Sequence, residues 1–183
     1  MVFIGDSYGA GWTPDGFVTS WIDYTVQNLG LHSNQKIVNA LGGAGFARAE
    51  DEYKFSTLLN QLTADNDVKY VVICGGYNDI WSSSTAISDG MSACKTIVQT
   101  KFPNATLCIG FIGNTLNSEY ATNVSTTRAN YASCASALSL VSLNNLNVLT
   151  LPDMYSSDGI HPNANGERTL ATAISNAITT QLV

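Results

Sequence analysis

The sequence predicts an α/β protein built on a parallel sheet, and three observations carry that reading. Short β-branched runs alternate along the chain with longer stretches of helical period, the pattern of βαβ units. The 183 residues are 45% hydrophobic with only four prolines, which supplies enough apolar mass for a sizeable buried core. Glycine-rich turns follow several candidate strands, at the edge where open α/β sheets bind ligands.

Five strands are expected: Val2 to Gly5, Lys36 to Ala40, Lys69 to Gly75, Ala105 to Phe111 and Asn147 to Leu151. Each is long enough for a strand and too short for a buried helix. Between the first two, Val18, Trp21, Ile22, Val26 and Leu29 form an apolar stripe at 3.6-residue spacing. A second helix is expected over Tyr53 to Leu62, a third on Ile87, Met91, Cys94, Ile97 and Val98, and a fourth from about Arg128 to Leu140. The last places Leu170, Ala171, Ile174, Ala177 and Ile178 on one face, with Asn163 as N-cap after Pro162. The polar stretches Ser82 to Thr85 and Asn114 to Thr127 read as loops. No repeat or linker divides the chain, so residues 1–183 read as one domain.

Charge narrows the partners. Eight Lys+Arg against fourteen Asp+Glu give a net charge of -6, the opposite of the basic footprint that nucleic acid or anionic membrane requires. No apolar run approaches the ~20 residues of a membrane span, so a soluble chain without membrane insertion is expected. Val2 to Ile4 is too short for the core of an export signal. Charged residues make up only 12%, with Ser, Thr and Asn supplying the polarity, a composition that leans toward an extracellular, virion or carbohydrate-facing setting. Cys74, Cys94, Cys108 and Cys134 lie far apart with no Cys-x-x-Cys pair, which argues for buried free thiols over disulfides, a zinc site or a redox dithiol. Nothing in the pattern sets an oligomeric state.

Four segments carry chemistry. The first strand runs into Gly5-Asp6-Ser7-Tyr8-Gly9, which satisfies Gly-x-Ser-x-Gly. Position excludes the α/β-hydrolase elbow, because that elbow follows several earlier strands and only six residues precede Ser7. A serine at the end of the first strand still suits a nucleophile, although a turn serine fits equally well when taken alone. Near the other end, Asp158-Gly159-Ile160-His161 places a carboxylate three residues before an imidazole. Such a carboxylate can fold back onto Nδ1 and leave Nε2 free as a base. The only other histidine, His32, has no acid at that spacing. Gly75-Gly76-Tyr77-Asn78-Asp79 follows the most apolar strand, where the Asn78 amide suits an oxyanion donor or an ordinary turn. Leu41-Gly42-Gly43-Ala44-Gly45 offers free backbone N–H groups but fails as a dinucleotide fingerprint, because its third glycine position is Arg48. No cofactor and no metal are expected.

Together these blocks, in this order and each at a strand end, resemble the SGNH (GDSL-type) esterase and acylhydrolase family. The resemblance covers nearly the whole chain and is carried by Gly5-Asp6-Ser7, the Gly42 to Gly45 loop, Gly76-x-Asn78-Asp79 and Asp158-x-x-His161. Tyr8 stands where the family often has Leu. The resemblance implies a three-layer α/β/α sandwich with a five-stranded parallel sheet in flavodoxin-like order. It implies Ser7 as nucleophile, His161 as base, Asp158 as its orienting partner, and an oxyanion hole from the Ser7 N–H, a loop glycine and Asn78. Gly43 is the glycine of choice because Gly43-Ala44-Gly45-Phe46 is most similar to the family's loop, with Gly45 and Gly42 as competitors. Tyr8, Trp12, Phe46, Tyr77 and Trp81 lie on or beside these loops and are the candidate substrate-binding aromatics. The expected activity is hydrolysis of short-chain acyl esters, O-acetyl groups on carbohydrate foremost. Lysophospholipid or thioester hydrolysis and a non-catalytic carbohydrate-binding module are the alternatives.

Overall fold

The computed structural model describes residues 1–182. Its sheet begins with β1 (Val2–Gly5), and the chain then makes a two-stranded hairpin, β2 (Trp12–Thr13) and β3 (Gly16–Phe17). The succession continues with α1 (Trp21–Asn28), β4 (Ile37–Ala40), α2 (Phe55–Asn60), β5 (Tyr70–Gly75), α3 (Ser84–Lys101) and β6 (Thr106–Phe111). It closes with α4 (Ser118–Ala137), β7 (Val141–Ser142) and α5 (Ala164–Leu182). The main sheet has the order β4-β1-β5-β6-β7 with every pairing parallel. That is the flavodoxin-like order expected above, and it puts a topological switch point at the carboxyl ends of β1 and β5.

Pleating distributes the strand residues between two cores. Val2, Ile4, Val71, Ile73, Leu107 and Ile109 face one side, where α2, α3 and α4 cover them with Phe55, Leu59, Ile87, Met91 and Tyr131. Phe3, Val72, Cys74 and Cys108 face the other side, under Trp21, Ile22 and Val26 of α1 and Leu170, Ile174 and Ile178 of α5. These layers form the α/β/α sandwich. All four cysteines are buried free thiols, and burial pushes the Cys108 thiol up to about 12.

Three expected elements differ. The fifth strand is not Asn147 to Leu151 but the two residues Val141 and Ser142, after which Leu143 N–H donates to Ile109 O and pairing stops. Asn145 takes a left-handed φ of 62°, which turns the chain out of the ladder. On either side of it Leu143, Leu146 and Leu149 are buried at every third position, so the residues resemble a strand in composition without a strand's alternation. The Leu149 carbonyl is taken by Asn114 Nδ2 and the Tyr155 hydroxyl instead of a neighbouring strand. The segment read as a loop from Asn114 to Thr127 is helical from Ser118, with the Asn117 side chain capping it through Glu119 N–H. Its inward positions are Val124 and Thr127, and a buried threonine does not register as an apolar stripe. Ser82 to Thr85 likewise contains the N-cap Ser83, whose side chain accepts from Ala86 N–H, and the first residues of α3. Asn163 caps α5 as expected, accepting from the N–H groups of Asn165 and Gly166.

Candidate active site

Ser7 lies two positions beyond the last residue of β1, at the edge where β1 and β5 end side by side. Its turn is held closed by Asp6, whose carboxylate accepts from Tyr8 N–H and whose carbonyl accepts from Ala10 N–H. The turn demands glycine on both sides. A Cβ on Gly9 would stand 2.9 Å from the Gly5 Cα, so the two backbones meet only because neither has a side chain. Ser7 is buried apart from a small opening.

His161 arrives from the loop before α5. The bridge between Tyr155 and Pro162 closes that loop, and Asp158 Oδ1 accepts from the backbone N–H groups of Ile160 and His161. Asp158 Oδ2 lies 2.6 Å from His161 Nδ1, and His161 Nε2 lies 3.0 Å from Ser7 Oγ. The three side chains therefore form one continuous line. Burial pushes the Asp158 carboxyl up, but the bonds from the His161 ring and the two backbone N–H groups outweigh it and hold the carboxyl below its ordinary value. Asp158 stays charged, which fixes the proton on Nδ1 and leaves Nε2 as the acceptor facing Ser7.

On the opposite side of Ser7 stand the glycine loop and Asn78. The Asn78 amide donates to Ala44 O at 2.9 Å, which orients it and leaves its second N–H uncommitted. Gly45 N–H donates to Tyr53 O and is thereby removed from the three competing glycines. Gly42 and Gly43 remain, and their N–H groups, like that of Ser7, have no partner among the described residues. A Cβ on Gly42 would come 3.8 Å from the Ser7 Cβ, while Gly43 has a φ of 84° and faces the Tyr53 ring.

A residue the sequence reading passed over locks this arrangement. Asp79 is fully buried and accepts from Phe46 N–H, Ala47 N–H and the Tyr131 hydroxyl, at 2.9, 3.0 and 2.5 Å. A Cβ on Gly45 would come 2.5 Å from its Oδ1, so the loop sits directly on the carboxylate. Asp79 thus ties the glycine loop to the turn that carries Asn78. Two further buried carboxylates lie beneath the site. Burial pushes the Asp6 carboxyl up to about 7, helped by the nearby Asp79 charge and opposed by the N–H bonds it accepts. Glu167 is raised well above its ordinary value for the same first reason, with one oxygen accepting from Trp21 N–H.

The expected aromatic wall is partly corrected. Tyr8 is buried and its hydroxyl donates to Ile160 O at 2.6 Å, so it supports the base loop and is closed to substrate. Phe46 is core, packed edge-on against Phe55 and Tyr131. Tyr77 is half-buried with its hydroxyl inside, whereas Trp81 is 69% exposed and meets Tyr120 edge-on. The hairpin β2–β3 had a legible signal, the turn run Thr13-Pro14-Asp15-Gly16, and brings Trp12 edge-on to His161 with ring centroids 4.7 Å apart. No cluster of three or more His, Cys, Asp or Glu able to hold a metal ion occurs among the described residues.

Comparison with known proteins extends this picture. None of the curated proteins matches. Among solved structures, a family two carbohydrate esterase from Clostridium thermocellum in complex with cellohexaose shares the fold with a TM-score of 0.73 at 18% identity. That match covers 99% of this chain and 63% of the esterase, so the chain spans less than two thirds of that protein. A Lactobacillus plantarum protein matches with a TM-score of 0.73 at 16% identity, covering 100% of this chain and 97% of the other. A Parabacteroides merdae protein assigned as a GDSL-like lipase matches with a TM-score of 0.69 at 15% identity, covering 98% and 95%. The family model of the GDSL-like Lipase/Acylhydrolase family matches residues 3–169. By that match, which spans all but the first two residues and the last fourteen, the chain belongs to the GDSL-like lipases and acylhydrolases.

Proposed function

We propose that the protein is a serine esterase that removes short acyl groups, O-acetyl groups on carbohydrate foremost, with residues 1–183 acting as one hydrolase domain. The observation that carries this reading is the unbroken line Asp158–His161–Ser7, at 2.6 and 3.0 Å, ending beside uncommitted N–H donors. Ser7 Oγ attacks the ester carbonyl carbon while His161 Nε2 takes its proton. The carbonyl oxygen becomes an oxyanion held by the Ser7 N–H, the Gly43 N–H and the second N–H of Asn78. The C–O bond to the alcohol then breaks, and the alcohol leaves with the proton from His161. Water repeats the sequence, giving its proton to His161 and releasing the carboxylic acid and free Ser7. No metal or cofactor enters these steps.

Support for a short acyl group comes from the brief segments that follow β1 and β5 beside Ser7. Support for carbohydrate comes from the sparsely charged, hydroxyl- and amide-rich composition and from the fold shared with the carbohydrate esterase. The test is acetate release from acetylated oligosaccharides beside a series of nitrophenyl esters of increasing chain length. Acetate release with the highest rates on the shortest chains is expected. Preference for the longest chains would favour a lysophospholipase or thioesterase, and oligosaccharide binding without any ester turnover would favour a binding module.

A further inference from the structure

We propose that the hairpin of β2 and β3 is the subsite for the alcohol half of the ester, with Trp12 and Phe17 forming an aromatic platform for a pyranose ring. The inference rests on the esterase reading and adds the side of the site on which each half of the substrate lies. His161 Nε2 must hand its proton to the leaving oxygen, so the alcohol lies against His161, whereas the carbonyl oxygen lies toward Asn78 and the glycine loop. Two aromatic rings flank the imidazole. Tyr8, with centroids 5.6 Å away, is buried and bonded to Ile160 O, which closes that side. Trp12 is 41% exposed and is the open side.

The register of the hairpin extends this surface. Trp12 pairs directly with Phe17, so both side chains stand on one face of the two-stranded ribbon. Phe17 is 79% exposed, and a phenyl group so placed contributes little to the core. The hairpin is nonetheless firmly held. Trp12 N–H donates to Ser7 O at 2.9 Å, Val18 N–H to Gly11 O at 2.8 Å, and the Thr13 hydroxyl to Gly16 O at 2.7 Å. Asp15 accepts from the N–H and hydroxyl of Ser157 at 2.7 and 2.6 Å, which fastens the hairpin to the loop that carries Asp158 and His161. These bonds hold the Asp15 carboxyl below its ordinary value. The rings are thereby positioned before substrate arrives, which lowers the ordering cost of binding. A pyranose presents a face of C–H groups that packs on an aromatic ring while its hydroxyls stay in water, and an exposed, uncharged aromatic pair suits that chemistry.

The test compares the parent with Phe17→Ala and Trp12→Ala on acetyl esters that differ only in the alcohol, methyl acetate and an acetylated oligosaccharide. The quantity read is the ratio of kcat/KM on the oligosaccharide to that on methyl acetate. For Phe17→Ala this ratio should fall roughly tenfold, mainly through KM, with an unshifted melting temperature because the ring lies outside the core. Trp12→Ala should lower the ratio further. An unchanged ratio in Phe17→Ala, or equal losses on both esters in both variants, would overturn the platform and leave the esterase intact. A parent that turns over neither ester would overturn the esterase reading and this inference with it.

Discussion

The two halves of the site are built in opposite ways. The Ser7–Asn78 half is made by the sheet: Asp6 and Asp79 are buried, Asp6 closes its own turn, and the bonds of Asp79 join turns that are distant in sequence. The His161 half is made by a loop of eight residues between Tyr155 and Pro162, whose internal bonds span at most five positions and whose Asp158 remains partly exposed. That loop is joined to the rest by the Tyr8 hydroxyl on Ile160 O, Asp15 on Ser157, and Leu116 N–H on Gly159 O. The oxyanion side therefore inherits its geometry from the core, whereas the base side depends on a few side-chain anchors. Substitutions in the two halves should fail differently.

The largest effect is expected on the loop. If His161 is the base as proposed, His161→Ala should lower kcat by on the order of 10⁴-fold or more, with the melting temperature nearly retained because the loop that carries it lies at the edge of the core. Steady-state rates and a thermal melt on one preparation check this. On the sheet side, Asn78→Ala should lower kcat by roughly 10²- to 10³-fold with little change in KM. It also removes the bond to Ala44 O, so a modest loss of stability should accompany it. A variant with a lowered melting point and unimpaired turnover would make Asn78 a turn residue only.

The buried carboxylates give the sheet half a pH dependence opposite in sign to that of Asp158, whose carboxyl is held below its ordinary value. Asp6 holds its proton to about pH 7 in the folded chain and loses it near its ordinary value of 3.8 when unfolded. Between those values the native state binds the extra proton, so stability falls as pH rises through the window, by up to about 1.4 kcal/mol per pH unit for one group. Asp79 and Glu167, also raised by burial, act in the same direction. Asp6→Asn should flatten the slope by one group's share, as read from denaturant melts between pH 4 and 7. The smallest effect is expected where the halves meet. Tyr8→Phe keeps the ring against His161 and deletes the hydroxyl with its short bond to Ile160 O and its longer one to Asn114 O, so it should cost about 1 kcal/mol of stability and at most about tenfold in kcat.

The same contrast governs what the sequence discloses. The residues of the proposed site were legible because each occupies a short motif: Ser7 and Asn78 in the turns after β1 and β5, and Asp158 three positions before His161. β1, β5 and β6 were legible because their residues are apolar on both faces, as a covered parallel sheet requires, and the edge strand β4 because Ile37 and Val38 open it with a β-branched pair. Val141 and Ser142 carry no such run, and the more strand-like Val148 to Leu151 lies outside the ladder because side chains satisfy its backbone. Asp79 was read only as part of a motif, since nothing local reveals that a carboxylate will be buried under a loop more than thirty residues away. Tyr8 and Phe46 were misassigned for the same reason: proximity to a motif says nothing about which way a ring turns.

Covalent labelling tests the central claim most directly. If Ser7 Oγ is the nucleophile activated by His161, an organophosphonate should add one equivalent of its mass to the peptide containing Ser7, abolish ester turnover in parallel, and fail to label His161→Ala at a comparable rate. Labelling at another residue, or an active preparation that turns over ester while Ser7 stays unmodified, would contradict it.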